Sequence, residues 1–159
     1  MFEVFLMSKF NLEVVPDVSF TIIKIFGHLD EEFIQSEVNL PPSDIIRFDL
    51  AKLDGINSCG IREFISLLKR IPLATMIEYH NCPTIFIIQV NMVNGFLGQN
   101  RKVISLFAPY VGIQTENEAL YFYEMKGLNT SDILKVIKIN DEDHEFDGSI
   151  EKYFRFLSL

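Results

Sequence analysis

The residues whose types and spacing most clearly suggest a chemical role are Asn57-Ser58-Cys59-Gly60. They lie between an apolar strand pattern and a helical pattern that begins at Ile61. Asn57 or Ser58 can cap this helix by accepting hydrogen bonds from the free amides of its first turn. Those amides and the helix dipole also favour a negative group at the same end. A phosphate on Ser58 would lie in this field and add a charge of about −1.5 to −2 at pH 7. The segment therefore predicts either a plain N-cap with a tight turn or a site that accepts a phosphate.

Other kinds of chemistry lack a matching set of residues in the sequence. The histidines His28, His80 and His144 do not pair at metal-ligand spacing, and the cysteines form no C-x-x-C motif. Ser58 does not lie in a G-x-S-x-G sequence, and no suitably placed histidine follows it. The glycines form neither a dinucleotide-binding fingerprint nor a P-loop. We therefore predict no catalytic residues, no metal site and no cofactor, and hence a protein that is not an enzyme.

Alternating strand and helix patterns define the elements that must position this segment. Apolar alternation and β-branched runs predict strands over residues 10–15, 20–26, 44–50, 74–79 and 103–107. Helical spacing predicts helices over residues 61–71 and 84–97. The first two strands should form a hairpin whose second strand ends at Gly27, one or two helical turns are expected within residues 28–37, and residues 52–60 should form a loop. This order indicates an α/β fold, with a mixed sheet and helices mainly on one face.

The C-terminal part of the chain does not continue the alternation of strands and helices. Residues 120–125 and 134–139 predict the two strands of a β-hairpin, and the acidic residues 141–144 predict a loop. A short amphipathic helix is expected at the C-terminus. The sequence is therefore divided into residues 1–110, the α/β domain, and residues 111–159, an appendage made of the β-hairpin and the helix.

The strand-to-helix junction, together with the strand order, resembles the STAS domain, the fold of bacterial anti-sigma factor antagonists. In that family an apolar strand ends in Asp, and a short loop leads to Asp-Ser-Ser-Gly or Asp-Thr-Ser-Gly at the start of a helix. Here Asp49 stands near the end of the predicted strand, and Asn57-Ser58-Cys59-Gly60 stands in place of the motif, with Asn and Cys replacing the usual Asp and second Ser. The resemblance covers about residues 10–107, and the family's phosphate acceptor falls on Ser58.

The resemblance implies a non-enzymatic, phospho-switchable protein-binding module in bacterial signalling. Its partner would be an anti-sigma factor or a serine kinase, which would bind the unphosphorylated domain and be released when Ser58 is phosphorylated. The candidate contact residues are Asp49, Asn57, Ser58, Cys59, Gly60 and Arg62. The alternative is a structural or assembly subunit that forms oligomers without a switch, which the aromatic-rich C-terminal segment favours. A small-ligand-binding domain is a third interpretation that the sequence leaves open.

Composition and charge limit the partners that the chain can have. Nearly half of its 159 residues are apolar, which is enough for a substantial core. The net charge of −8 disfavours nucleic acids and anionic membrane surfaces as partners. No leader peptide and no stretch of about 20 apolar residues is recognisable, so a cytoplasmic protein is expected. Cys59 and Cys82 do not suggest a disulfide framework, and homodimer formation stays open.

Overall fold

Two β-sheets, one mixed and one antiparallel, organise the chain in the computed structural model, which describes residues 9–158. The elements, in chain order, are β1 (Asn11–Pro16), β2 (Phe20–Leu29), β3 (Ile45–Ile56), α1 (Ser58–Lys69), β4 (Met76–His80), α2 (Thr84–Met92), β5 (Arg101–Val103), β6 (Ser105–Gly112), β7 (Glu118–Glu124), β8 (Val136–Ile139), β9 (Glu142–Phe146) and α3 (Ile150–Tyr153). Single 3₁₀ turns lie at Gln35–Glu37, Thr130–Asp132 and Arg155–Ser158. This arrangement confirms the predicted mixed α/β class.

The first sheet has the strand order β1-β2-β3-β4-β5, so β3 lies at its centre. β1 and β2 are antiparallel, which confirms the predicted hairpin, and the remaining neighbours are parallel. α1 connects β3 to β4, and α2 precedes β5. Parallel neighbours require crossover connections. α1 supplies the crossover from β3 to β4 and α2 the one from β4 to β5, whereas residues 30–44, with the 3₁₀ turn Gln35–Glu37, connect β2 to β3. The sheet therefore places the end of β3 and the start of α1 at one edge of the central strand pair.

An aromatic cluster fixes both crossover helices on the same face of this sheet. Phe64 of α1 packs 5.2 Å from Phe48 of β3, between ring centroids, and 6.0 Å from Phe86 of α2. Phe48 in turn stacks on Tyr79 of β4 at 5.4 Å. The buried residues of β3 alternate with half-exposed ones such as Arg47, as the strand period of two requires. The helices therefore cover one face, and the opposite face of the described sheet carries both polar side chains, such as Arg47, and apolar ones, such as Phe20.

β2 and β3 are both longer than the sequence predicts. β2 continues beyond Gly27 to Leu29, and β3 continues through the predicted loop to Ile56. The extensions pair with each other across two irregularities in register, and Gly27 adopts a φ of 73° there. A bulge accommodates extra residues without ending the ladder, so turn-like residues did not terminate the strands. Gly55 makes room for the neighbouring imidazole, because a Cβ at this position would lie 2.0 Å from the His28 ring.

α2 is shorter than predicted, since it ends at Met92 and not near residue 97. Val93 is extended, with φ −108° and ψ 109°, and Gly95 and Gly98 follow with positive φ angles. The apolar residues Phe96 and Leu97 nevertheless lie in the core. Phe96 and Leu97 are apolar because they are buried in the turn after α2, and in the sequence they resemble a continuation of that helix. None of the helices in residues 9–158 has the length and apolarity needed to cross a membrane.

The second sheet has the order β7-β6-β9-β8 and corrects the predicted C-terminal hairpin. β7 and β8 do not pair with each other, because β7 pairs with β6 and β8 pairs with β9. The predicted acidic loop is strand β9, and Asn140 and Asp141, with φ angles of 48° and 63°, form the turn before it. Two successive positive φ angles are typical of a type I′ hairpin turn. The consecutive antiparallel pairs of this sheet, and hence its hairpins, are β6–β7 and β8–β9.

The strand predicted over residues 103–107 is divided between the two sheets, because β5 of the first sheet ends at Val103 and β6 of the second sheet begins at Ser105. Cys82 accepts a hydrogen bond from Phe107 and donates one to Ser105, at 2.9 and 3.0 Å, so the start of β6 is tied to the end of β4. The Tyr153 hydroxyl donates to the Phe107 carbonyl at 2.6 Å, which attaches α3 to the same strand. The proposed division at residue 110 falls inside this strand.

Candidate functional site at the start of helix α1

Asn57 is the N-cap of α1, one of the two residues that the sequence offered for this role. Its Oδ1 accepts a hydrogen bond from the amide of Gly60 at 3.0 Å, and its extended backbone has φ −116° and ψ 177°. Its carbonyl accepts the first helical bond, from Ile61 at 2.9 Å. This geometry satisfies one of the amides that a helix start leaves without a carbonyl partner.

Ser58 is the first residue of α1, and its side chain is exposed. The hydroxyl makes no hydrogen bond to any other residue of the described chain. Since the cap uses Asn57, the serine is left free to meet solvent or a partner. The amides of the first turn that the cap does not use add partial positive charge near it. The hydroxyl is therefore accessible, and the free amides of the first turn favour a negative group beside it.

Gly60 lets the end of β2 approach the first turn of α1. A Cβ at this position would lie 1.9 Å from the Leu29 carbonyl oxygen, a distance that no side chain tolerates. The same carbonyl accepts a hydrogen bond from the Asn57 amide at 3.1 Å. The glycine thus serves close backbone packing, which holds the Asn57–Ser58 turn in one position against the sheet.

Glu31 is a member of this site that the sequence analysis did not find. Its Oε2 accepts a hydrogen bond from Asn57 Nδ2 at 2.9 Å. A backbone hydrogen bond within its own residue and the bond from Asn57 lower the pKa of the Glu31 carboxyl below its ordinary value. Asp30 and Glu32 flank it, so the loop after β2 brings negative charge to the helix start. Glu31 lies 26 residues before Asn57, so the local spacing of the sequence does not indicate this contact.

Cys59 and Arg62 complete the first turns of α1. Cys59 is partly exposed and is a free thiol, as is the buried Cys82. Burial raises the pKa of the Cys82 thiol well above its ordinary value, so this group stays protonated. Arg62 is exposed and lies four residues after Ser58, hence on the same side of the helix. Of the six predicted contact residues, Asn57, Ser58, Cys59 and Arg62 are exposed or partly exposed in this segment, whereas Gly60 is buried.

Asp49, the sixth predicted contact residue, lies elsewhere. It is in the middle of β3 and not at its end, because the strand continues to Ile56. Asp49 pairs with Lys24 of β2, and Ile56 pairs with Leu29. These two positions on β2 are five residue steps apart, roughly 16 Å at about 3.3 Å per residue. The Asp49 side chain points away from the helices and accepts hydrogen bonds from Asn81 Nδ2 and the Ala51 amide, at 3.0 and 3.1 Å. The structure thus separates Asp49 from the Ser58 turn.

The sheet face that carries Asp49 also holds an ionic network that the sequence analysis missed. Glu78 Oε2 accepts from Arg47 Nε at 2.8 Å and lies 3.1 Å from His80 Nε2. Burial raises the pKa of Glu78, but the hydrogen bonds and charges of His80 and Arg47 outweigh it and lower the pKa below its ordinary value. The Arg47 guanidinium also lies 4.2 Å from the centre of the Phe20 ring. These contacts satisfy the charged groups within the sheet face. Within residues 9–158, no group of three or more His, Cys, Asp or Glu side chains is arranged to hold a metal ion.

Comparisons with known proteins give no family assignment. No model of a known protein family matches the chain, and no curated protein matches it in sequence. The resemblance to STAS domains therefore stays a prediction.

Proposed function

We propose that this chain is a non-enzymatic protein-binding module of bacterial signalling, which acts in the cytoplasm and is switched by phosphorylation of Ser58. The observation that carries the proposal is the exposed Ser58 hydroxyl at the first position of α1, with no hydrogen-bond partner in the described chain. Asn57 and Gly60 support it, since they hold the turn rigidly against β2. By its resemblance to STAS domains, the partner is an anti-sigma factor or a serine kinase.

The switch follows from the charges around the turn. A partner that packs on α1 contacts an uncharged hydroxyl, the partly exposed Cys59 and the long side chain of Arg62. Phosphorylation adds bulk and a dianion to this contact. The first-turn amides and Arg62 stabilise the phosphate within the free protein, whereas Glu31 adds like charge beside it. Burying this charge at an interface costs desolvation energy, so the phosphorylated form releases its partner.

A comparison of four proteins as bait tests the proposal. Wild type, Ser58→Ala, Ser58→Asp and the control Ser19→Asp are incubated with extract of the native cells, and bound proteins are quantified by mass spectrometry. Ser19 is exposed in the turn before β2, and the length of β2, roughly 30 Å, separates it from the end that contacts Asn57. We expect wild type, Ser58→Ala and Ser19→Asp to retain the same partner and Ser58→Asp to lose it about tenfold. Equal retention by Ser58→Asp would contradict the switch.

The alternative function, an assembly subunit without a switch, is favoured by one observation. Strand β7 exposes the large apolar side chains of Leu120, Tyr121 and Phe122. A chain whose purpose is self-assembly would form a stable oligomer whatever the state of Ser58. Light scattering of wild type and Ser58→Asp, combined with a phosphorylation assay at Ser58, distinguishes the two functions.

A further inference from the structure

Strand β7 is an edge strand with an open side. It pairs with β6 in regular antiparallel register from Glu118 to Glu124, and no other strand of the described chain pairs with it. An exposed edge presents unpaired backbone groups that another extended chain can bind. β7 has seven residues and no proline, and its register with β6 contains no bulge. Such an edge suits β-strand addition, in which a peptide extends the sheet.

Hydrogen bonds at the two ends of β7 show which residues face outward. Gly112 donates to the Asn117 carbonyl at 2.9 Å, and Met125 donates to the Ile104 carbonyl at 2.8 Å. In an antiparallel pair, alternate residues bond to the partner strand, so the odd-numbered residues of β7 face β6. The residues whose amide and carbonyl groups point to the open side are therefore Glu118, Leu120, Phe122 and Glu124.

A groove of about 930 Å³ lies beside the start of this edge, between β7, α2 and α3. Its apolar walls include Leu120 of β7 and Ile88 and Met92 of α2, which are 62%, 46% and 74% exposed. A peptide on the β7 edge would direct every second side chain towards one face of the sheet. The backbone edge and the apolar groove are therefore adjacent, as strand addition with side-chain selectivity requires.

Acidic residues stand at both ends of the open edge. Glu118 and Glu124 are exposed, and neither forms an ion pair or a side-chain hydrogen bond within the described chain. If two copies of this chain paired along the whole of β7, Glu118 of one copy would lie opposite Glu124 of the other, at both ends. Like charges directly opposite each other destabilise a strand pair. The edge therefore disfavours a second copy and favours a strand with basic ends.

We propose that β7 binds an extended segment of a partner protein, with apolar residues at alternate positions and Lys or Arg at both ends. The segment adds a strand to the second sheet, and its apolar side chains reach the groove beside Ile88 and Met92. This binding surface lies on the second sheet, apart from the Ser58 turn, and does not depend on phosphorylation.

A displayed library of random peptides about nine residues long, sufficient to cover β7, tests the proposal with the full chain as target. The control is Leu120→Pro, since proline removes an outward amide that the fold itself does not use. We expect wild type to enrich peptides with basic ends and alternating apolar residues, and Leu120→Pro to lose them. We also expect a synthetic copy of an enriched peptide to protect the Leu120 and Phe122 amides from hydrogen exchange.

A charge reversal separates the proposal from a general loss of structure. In the double variant Glu118→Lys with Glu124→Lys, the enriched peptide should bind about tenfold more weakly, and its counterpart with acidic ends should bind better. The proposal is overturned if wild type enriches no more than Leu120→Pro, or if the enriched peptides show no preference for basic ends. Dimerisation of wild type that Leu120→Pro abolishes would also overturn it, because the occupant would then be a second copy.

Discussion

At the scale of single residues, the contacts of the Asn57 side chain explain why Asn stands where STAS domains usually have Asp. Its oxygen accepts from the Gly60 amide, and its nitrogen donates to Glu31. An aspartate would keep the first bond and lose the second, because a carboxylate has no proton to donate at neutral pH. It would also face Glu31 with like charge. Glu31, which lies outside the local sequence motif, therefore favours Asn over Asp as the capping residue.

We expect Asn57→Asp to be less stable than wild type at pH 7, although Asp is a good capping residue. The physical cause is repulsion by Glu31, so Glu31→Gln in the same chain should remove the difference. Urea unfolding of the four proteins of this double-mutant cycle measures the coupling. Asn57→Ala serves as the reference for loss of the cap and should cost about 1 kcal/mol. An effect of Asn57→Asp that is equal in both backgrounds would rule out the contact with Glu31 as its cause.

At the scale of elements, the position of the Ser58 turn depends on the packing of α1 against the end of β2. Gly60 lies at the closest point, where the Leu29 carbonyl leaves no space for a methyl group. Within an ordinary helix, replacing Gly by Ala adds roughly 0.5–1 kcal/mol of stability. Here the clash with the backbone should reverse that sign.

We expect Gly60→Ala to lower the free energy of unfolding by about 3 kcal/mol, since either α1 or β2 must move. Gly127→Ala is the control, because a Cβ there meets nothing within 4 Å and only the φ of 71° opposes it. Its cost should be about 1 kcal/mol. Chemical unfolding of both variants gives the comparison. If Gly60→Ala were as stable as wild type, the close contact between α1 and β2 would be wrong.

Local patterns predicted the first sheet well because its main signals are close in sequence. The β1–β2 hairpin, the central strand and α1 each carry a period and an end signal within a few residues. The second sheet was harder to predict, since β6 reaches β9 across a long stretch of chain. In β9, buried His144 and Phe146 alternate with exposed acidic residues, as in a half-buried strand. Because one of the buried residues is a histidine, the sequence does not show the apolar alternation that predicts a strand.

The candidate site was predicted only in part, for the same physical reason. The Ser58 turn is a local signal, and the structure places Asn57 and Ser58 at the start of the helix as expected. Asp49 was assigned to this site because the strand was expected to end there, and a bulged continuation of β3 separates the two. Glu31 joins the site through the pairing of β2 with β3, a contact that composition and spacing do not encode.

At the scale of the whole molecule, the two sheets present different kinds of surface. The first sheet presents the Ser58 turn, where a single hydroxyl is exposed beside acidic side chains. The second presents the β7 edge, where unpaired backbone groups lie between two glutamates. β6 links the sheets through its hydrogen bonds to Cys82. Under the two proposals made above, the chain would hold one partner at the β7 edge while it binds or releases another at the Ser58 turn.

The most direct test of the switch uses the full chain isolated from its native cells. Free and partner-bound fractions are separated by size, and phosphorylated residues are mapped in each by mass spectrometry. The account predicts phosphate on Ser58 in the free fraction and an unmodified Ser58 in the bound fraction. Equal phosphate on Ser58 in the two fractions, or an unmodified Ser58 in both, would contradict it.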